Sequence, residues 1–463
     1  MAEAHPPGGC SSMVEQKLPK LKTGVRFPSP APAYGEGDTG ILRRSFADEA
    51  EGYVTQHQQD DQKLPPAVRF LLGTILINAI GFGIITPVMP ALVMQLGHAD
   101  LSKATAIGGS LSLLYAVTQF VCGPLAGNLS DRFGRRPVLL GSLFGFAADF
   151  LVLAFAPTLG WLYVGRFLSG IFGASNGPAQ SAIADLSPPE ARPRLFGFIG
   201  AAFGIGFVIG PVIGGLLGEF GHRVPFFAAA ALAMGNFIYG LIVFPETLAR
   251  QNRRAFDWRR ANPIGSLLNV RKMPGILPIA VVYMLWQVAA LIYPMTWNFY
   301  TYGRFGWSAG MVGLSLAGVG LGMALVQTFV TGRLVGRLGE RQVAMLGMAI
   351  GTLCFAAYAV APFGWLALLL IVPMVFQSLV HPTLTAMMSR RATAETQGEV
   401  QGFASSLMAL GSIIAPSLFN PLLAYFTSPA APIQFWGASF AAAAVISAGA
   451  LVILWRSKPK PAA

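Results

Sequence analysis

From Val68 onward the chain alternates long apolar runs with short polar interruptions, and the runs are of nearly one size. Crossing the hydrocarbon core of a bilayer takes about 20 mostly apolar residues. Reading forward gives twelve such stretches: 68–95, 104–126, 138–157, 160–185, 196–218, 224–245, 274–299, 309–331, 343–361, 364–388, 403–425 and 433–455. Connections are short except for 246–273, which divides the stretches six and six. The pattern predicts an all-α membrane protein with twelve transmembrane helices. They form two six-helix bundles, 67–245 and 274–456, joined by a central loop at 246–273 and followed by a short basic tail, 457–463.

Composition agrees: 54% of the residues are hydrophobic and 11% charged, against about 25% charged in ordinary soluble chains. The net charge of +12 would fit a nucleic-acid binder if its position did not explain it. With the N-terminus inside, the cytoplasmic segments after the first span hold 20 Lys and Arg, among them seven in the central loop; the other side holds Lys103, Arg223 and Arg304. By the positive-inside rule both termini are cytoplasmic, in a multi-pass protein of the inner membrane. The basic surplus is topology, and no nucleic-acid partner is expected. Cys10, Cys122 and Cys354 are too scattered for a disulfide framework or a metal cluster. No phosphate loop or nucleophile constellation is present, so the expectation is a monomer that is not an enzyme, has no cofactor or metal, and draws energy from a gradient.

Residues 1–66 are polar and rich in Pro and Gly, and read as a disordered tail without a secretory signal. Within it, 8–32 resembles the peptides produced when a transfer-RNA gene is read as coding sequence. The expectation is a start placed too early, with the working protein beginning after about residue 33.

Between spans 2 and 3 lies "GNLSDRFGRRP", residues 127–137. Gly127 and Gly134 would permit a tight turn and a close approach. Arg132, Arg135 and Arg136 would hold the cytoplasmic side. Asp131 is placed to pair with an arginine, or with the positive N-terminal end of a helix from the opposite half, as a latch made in one position only. A plain topology anchor is the alternative. The turn recurs as "GRLVGRLGER" at an offset of 205, which also relates Gly197-Phe198 to Gly402-Phe403 and Pro211 to Pro416. A duplicated six-span unit follows, as in transporters that rock two halves around a midplane site. At the place of Asp131 the second copy has Gly336, so the latch is one-sided.

These residues resemble the major facilitator superfamily: "GNLSDRFGRRP" is similar to its signature loop. "GRFLSGIFGASNG" (165–177) resembles its span 4 antiporter signature with Arg166, and "GIGFVIGPVIGG" (204–215) its span 5 signature. With "AIGFGIITPVMPAL", "PFFAAAAL" and "GWSAGMVGLSLAG" the ordered set looks like the tetracycline/proton antiporter branch. The resemblance implies alternating access and exchange of cargo for protons. It also implies that Gly206, Gly210, Pro211, Gly214 and Gly215 shape a bend that limits leakage. Ordinary small-residue helix packing would explain the same glycines. The branch has titratable residues where this chain has Asn78, Met323 and Gly351, which puts tetracycline as cargo in doubt.

Ionisable groups within spans point to function by default. Asp149 in span 3 and Arg166 in span 4 lie at similar depth, and are either a structural pair or a proton carrier with its partner. His381 in span 10 carries or senses the coupling proton, or is a neutral histidine hydrogen-bonded inside the bundle. Asn78, Gln119, Gln180, Gln287, Trp297, Asn298, Gln327 and Gln377 are the candidate cavity contacts for a small hydrophobic cargo. The leading function is export of hydrophobic small molecules in exchange for protons. The alternatives are a metabolite uptake symporter or facilitator, and a non-transporting receptor or assembly factor.

Overall fold

The computed structural model describes residues 66–174, 176–187, 192–257, 275–391 and 397–457; the expected tails at 1–65 and 458–463 and the loop residues 258–273 fall outside these. They are helical with connecting turns, and no strand occurs among them. Eleven helical stretches are long and apolar enough to cross a membrane.

The stretch missing from that number is span 4. It consists of two helices, Leu159–Gly173 and Asn176–Asp185, each too short to cross alone. The sequence Gly173-Ala-Ser-Asn-Gly-Pro178 explains the interruption, since Pro178 has no N–H to continue the ladder and Gly favours its release. Span 1 is interrupted likewise. Pro66–Ile85 ends before Pro87, and Met89–Gly97 resumes with Pro90 in its first turn. Hydropathy reads through such breaks because the residues that cause them are not charged.

Span 2 runs from Leu101 to Phe133 as one helix, so most of the signature loop is helical; the chain turns at Gly134, with φ +108°. Span 3 follows at once, as Arg135–Phe155. Spans 5 and 6 are Arg192–Glu219 and Val224–Val243. In the second half, span 7 is Leu277–Ala290 continued by Ile292–Phe305. Span 8 starts as Ala309–Leu325, passes through a π-helical segment, Val326–Thr331, and ends at Leu338. The next turn is Gly339, with φ +81°, before span 9, Glu340–Val360. Span 10 contains a 3-10 segment, Val375–Leu379, followed by Val380–Ser389. Spans 11 and 12 are Gln397–Thr427 and Ala438–Arg456.

The halves meet at the end where span 5 finishes and span 8 begins. There the contacts are backbone to backbone: a Cβ on Gly215 would meet the Ala309 carbonyl at 2.6 Å, and one on Gly313 the Pro211 carbonyl at 2.1 Å. Three hydrogen bonds between described residues of the two halves also lie here. Ser102 donates to the Ala424 carbonyl (2.7 Å), Asn298 to the Thr86 carbonyl (2.9 Å), and Gly310 N–H to Glu219 (2.9 Å). Toward the Gly134 end, Val121 of span 2, Phe203 of span 5, and Leu325 and Phe329 of span 8 are about half exposed. At the closed end the second half carries an interlocked set of rings: Tyr293, Trp297, Tyr300, Tyr358 and Phe440, with centroids 4.9–6.2 Å apart. Along the second half of span 5 the first bundle presents Gly206, Gly210 and Gly214, whose absent side chains let it lie against the backbone of span 1.

Candidate functional site

Three groups of side chains carry the expected chemistry. The first is buried inside the first half. Asp149 has no exposed surface, and Arg166 is 7% exposed. Asp149 Oδ2 accepts a hydrogen bond from the Ser169 hydroxyl one helix away. Its Oδ1 has no hydrogen-bond partner, and neither do Arg166 Nε and Nη2. The two charges interact electrostatically, and Tyr115 joins their field, yet the groups make no ion pair within 4.0 Å. Similar depth in neighbouring helices thus brings them near without putting them in contact. An ideal Cβ on Gly165 would stand 3.1 Å from Asp149 Oδ1, so the glycine before Arg166 leaves room at the free oxygen. Close by, Gln119 donates to the Tyr115 hydroxyl (3.0 Å) and to the Gly173 carbonyl (3.2 Å), at the break in span 4.

The second is in the second half. His381 is exposed, and its Nδ1 lies 3.1 Å from the hydroxyl of buried Tyr283 in span 7. A hydroxyl can donate to a neutral imidazole or accept from a protonated one. The bond therefore survives a change of charge on the ring.

The third is the Gly134 turn. Arg135 is buried and bound to two carboxylates, Asp131 at 2.6 Å and Asp185 at 3.0 Å. Glu246, from the start of the central loop, accepts from the backbone N–H of Arg135 (2.8 Å) and lies 3.5 Å from Arg253. Only glycine fits at 134, since φ is positive and a Cβ would strike Glu246 Oε2 at 2.1 Å. Gly127 differs from expectation. It lies within the helix with nothing within 4 Å of a built Cβ, so it serves neither a turn nor a close approach. Asp131 is paired in its own half, and Arg132 and Arg136 bind elsewhere. Arg132 stacks over Phe133, and Arg136 donates to the Leu241 carbonyl at the end of span 6 (2.8 Å). Asp131, Arg135, Ser181, Asp185 and Arg254 line a polar cavity of about 660 Å³ here.

The candidate cavity contacts divide. Gln180 and Gln327 are exposed, Gln327 within the π-helical segment, a form of helix common at functional sites. Asn78, Gln119 and Gln287 are partly exposed. Trp297, Asn298 and Gln377 are buried. Trp297 donates to Ser315 (2.9 Å), and Asn298 ties span 7 to the break in span 1. Sequence reasoning overlooked Tyr283, Ser169 and Glu246, each of which takes a partner from another helix. At Gly351 the ring of Trp286 stands 2.6 Å from where a Cβ would be, and Gln377 lies beside it. Among the described residues no group of three His, Cys, Asp or Glu could hold a metal ion.

The Major Facilitator Superfamily model matches this chain over residues 71–416 and 279–463. "Tetracycline resistance protein, class C" of Escherichia coli is 39% identical, over 77% of this chain and 90% of its own length. "Multidrug resistance protein 2" of Bacillus subtilis is 29% identical, over 75% and 86%. Among solved structures, the human organic anion transporter MFSD10 superposes with a TM-score of 0.64 at 24% identity, covering 85% of this chain and 100% of that one. A bacterial homologue of the lysosomal transporter Spinster, in an inward-facing and occupied conformation, gives 0.69 at 14%, covering 85% and 97%.

Proposed function

Because the chain belongs to the Major Facilitator Superfamily, we propose that it exports hydrophobic small molecules across the inner membrane by alternating access, in exchange for protons. The observation that carries this is the seam between the halves. Spans 5 and 8 touch backbone to backbone at one end and present half-exposed apolar side chains toward the other. Two rigid bodies hinged in this way open a cavity to one side at a time. Relatives named for tetracycline and multidrug resistance support an outward direction and an apolar cargo.

On this reading the chain makes twelve crossings, with the broken span 4 counted as one and both termini cytoplasmic. The two halves are a duplicated unit. In its support, Gly134 and Gly339 both turn with positive φ (+108° and +81°) and nearly equal ψ (162° and 158°). The structure then has its cytoplasmic end open. Asp131 rests on Arg135 until that end closes, when it engages the opposite half. Asp149, sealed from solvent and lacking a partner at Oδ1, carries the coupling proton, and Arg166 sets its charge balance. His381 exchanges a proton through Nε2 with the open cavity. The protein works as a monomer without a cofactor, with the proton gradient as its energy source.

Inverted membrane vesicles test this. Lipophilic dyes, and tetracycline beside them, should collapse an imposed pH gradient, and an uncoupler should abolish efflux. Accumulation of the compounds inside cells would favour uptake. No cargo-linked proton movement in the wild type would defeat the antiporter reading.

A further inference from the structure

One charged side chain joins described residues of the two halves by a hydrogen bond, and it stands at the end opposite Asp131. Glu219 is the last residue of span 5 in the first half; Gly310 is the second residue of span 8 in the second. Glu219 Oε1 accepts the Gly310 N–H at 2.9 Å. Ser308, the N-cap of span 8, accepts from Met311 N–H at 3.4 Å. The free N–H groups of that first turn are therefore divided between the helix's own cap and a carboxylate from the other half. The negative charge also faces the positive end of the helix. Gly310 keeps the approach open, since a Cβ there would stand 3.0 Å from Glu219 Oε1. Just inside the contact, Gly215 and Gly218 bring span 5 against Ala309, so the carboxylate closes a seam that the glycines have already fitted.

We infer that Glu219 is the latch of this end. It caps span 8 across the seam while the end is closed and gives up that cap each time the end opens. The arrangement is the one the sequence predicts for Asp131, a carboxylate set against a helix N-terminus of the opposite half, but formed at the other end of the bundle. The inference rests on the rocking motion read above. With the Glu219 end closed, Asp131 is held by its own half. With the Glu219 end open, Glu219 has no partner across the seam and the turn at Gly134 meets the second half. Two carboxylates, one at each end, then act in alternation.

The test uses the full chain in liposomes, with its native cysteines replaced by serine and spin labels at Lys103→Cys and Arg304→Cys, two exposed positions on opposite halves of this end. Wild type should give mostly the short distance. Glu219→Ala and the isosteric Glu219→Gln should each raise the long-distance population at least several-fold, while Asp131→Asn should not. An unchanged distribution in Glu219→Gln, with the protein folded, overturns the latch. A single short distance in wild type and in every variant, with or without dye and pH gradient, overturns both the latch and the rocking motion. A shift in the Glu219 variants, in a protein that moves no dye, upholds the latch and removes the transport reading alone.

Discussion

Arg136 and Arg341 stand 205 residues apart and act alike, since each donates from Nη2 to the carbonyls that end the sixth helix of its own half. Arg136 reaches Leu241; Arg341 reaches Leu454, Trp455 and Ser457. Beside them, the Arg135–Asp185 pair (3.0 Å) has its counterpart in Glu340 and Arg390 (2.9 Å), at the same offset with the charges exchanged. The second pair agrees with its helix dipoles, since Glu340 opens span 9 and Arg390 follows the end of span 10. The first opposes them, and it is the one reinforced by Asp131 and Glu246.

The C-terminal caps should be measurable one at a time. Arg136→Ala is expected to cost about 0.5–1 kcal/mol, the worth of one charged group at a helix C-terminus. Arg341→Ala, which releases three carbonyls, should cost more. Thermal unfolding in detergent gives the order, and equal midpoints would contradict it.

The two glycines of the signature loop should respond in opposite ways. Gly134→Ala forces a Cβ onto Glu246 and a left-handed φ onto alanine, with a penalty of about 1–2 kcal/mol from the backbone alone. Gly127→Ala meets open space in mid-helix and should be neutral, or stabilising by up to about 1 kcal/mol. The thermal midpoints of the two variants check both signs.

Proton coupling is expected to pass through Asp149. Asp149→Asn retains a group that can accept from Ser169 and removes the charge facing Arg166. Dye-driven collapse of the pH gradient should fall at least tenfold while the fold persists. Wild-type rates in Asp149→Asn would leave the aspartate a structural role only.

His381→Gln should slow transport more than Tyr283→Phe does. The first removes the exchangeable ring nitrogen; the second leaves it in place and removes only its support. Equal rates in His381→Gln and wild type would return the histidine to the packing of the bundle.

Gly351→Asp places a carboxylate at one of the positions that the resemblance implies should titrate, but the indole of Trp286 holds the space. The single variant should lose about 1–3 kcal/mol by overpacking, with the cost of a buried charge in addition. Combining it with Trp286→Ala should recover part of the loss, with a coupling energy above about 0.5 kcal/mol. Additive effects would mean that the ring does not govern this position.

Most of the architecture is legible in hydropathy, because the bilayer requirement acts on each span separately. The breaks at Pro87 and Pro178 are not, since neither interrupts an apolar run with charge. Candidate chemistry stands out in the sequence where one residue type is rare, as with Asp149, Arg166 and His381 inside the spans. It fails where function depends on who stands opposite. Nothing local separates Asn298, which binds the Thr86 carbonyl, from Gln327, which is exposed. Asp131 and Glu219 are both carboxylates near span ends, and only the packing of the halves shows which one crosses the seam.

The interlocked rings of the second half have a mechanical consequence. Tyr293, Trp297, Tyr358 and Phe440 lock three helices edge against face, so shear between them must break several close-packed contacts together. The first half meets its neighbours there through glycine backbone, which can slide without any side chain changing rotamer. Compliance is thus concentrated in spans 1 and 5. On the rocking motion proposed above, forcing the closed end apart would bend those helices and turn the second half as a stiff lever.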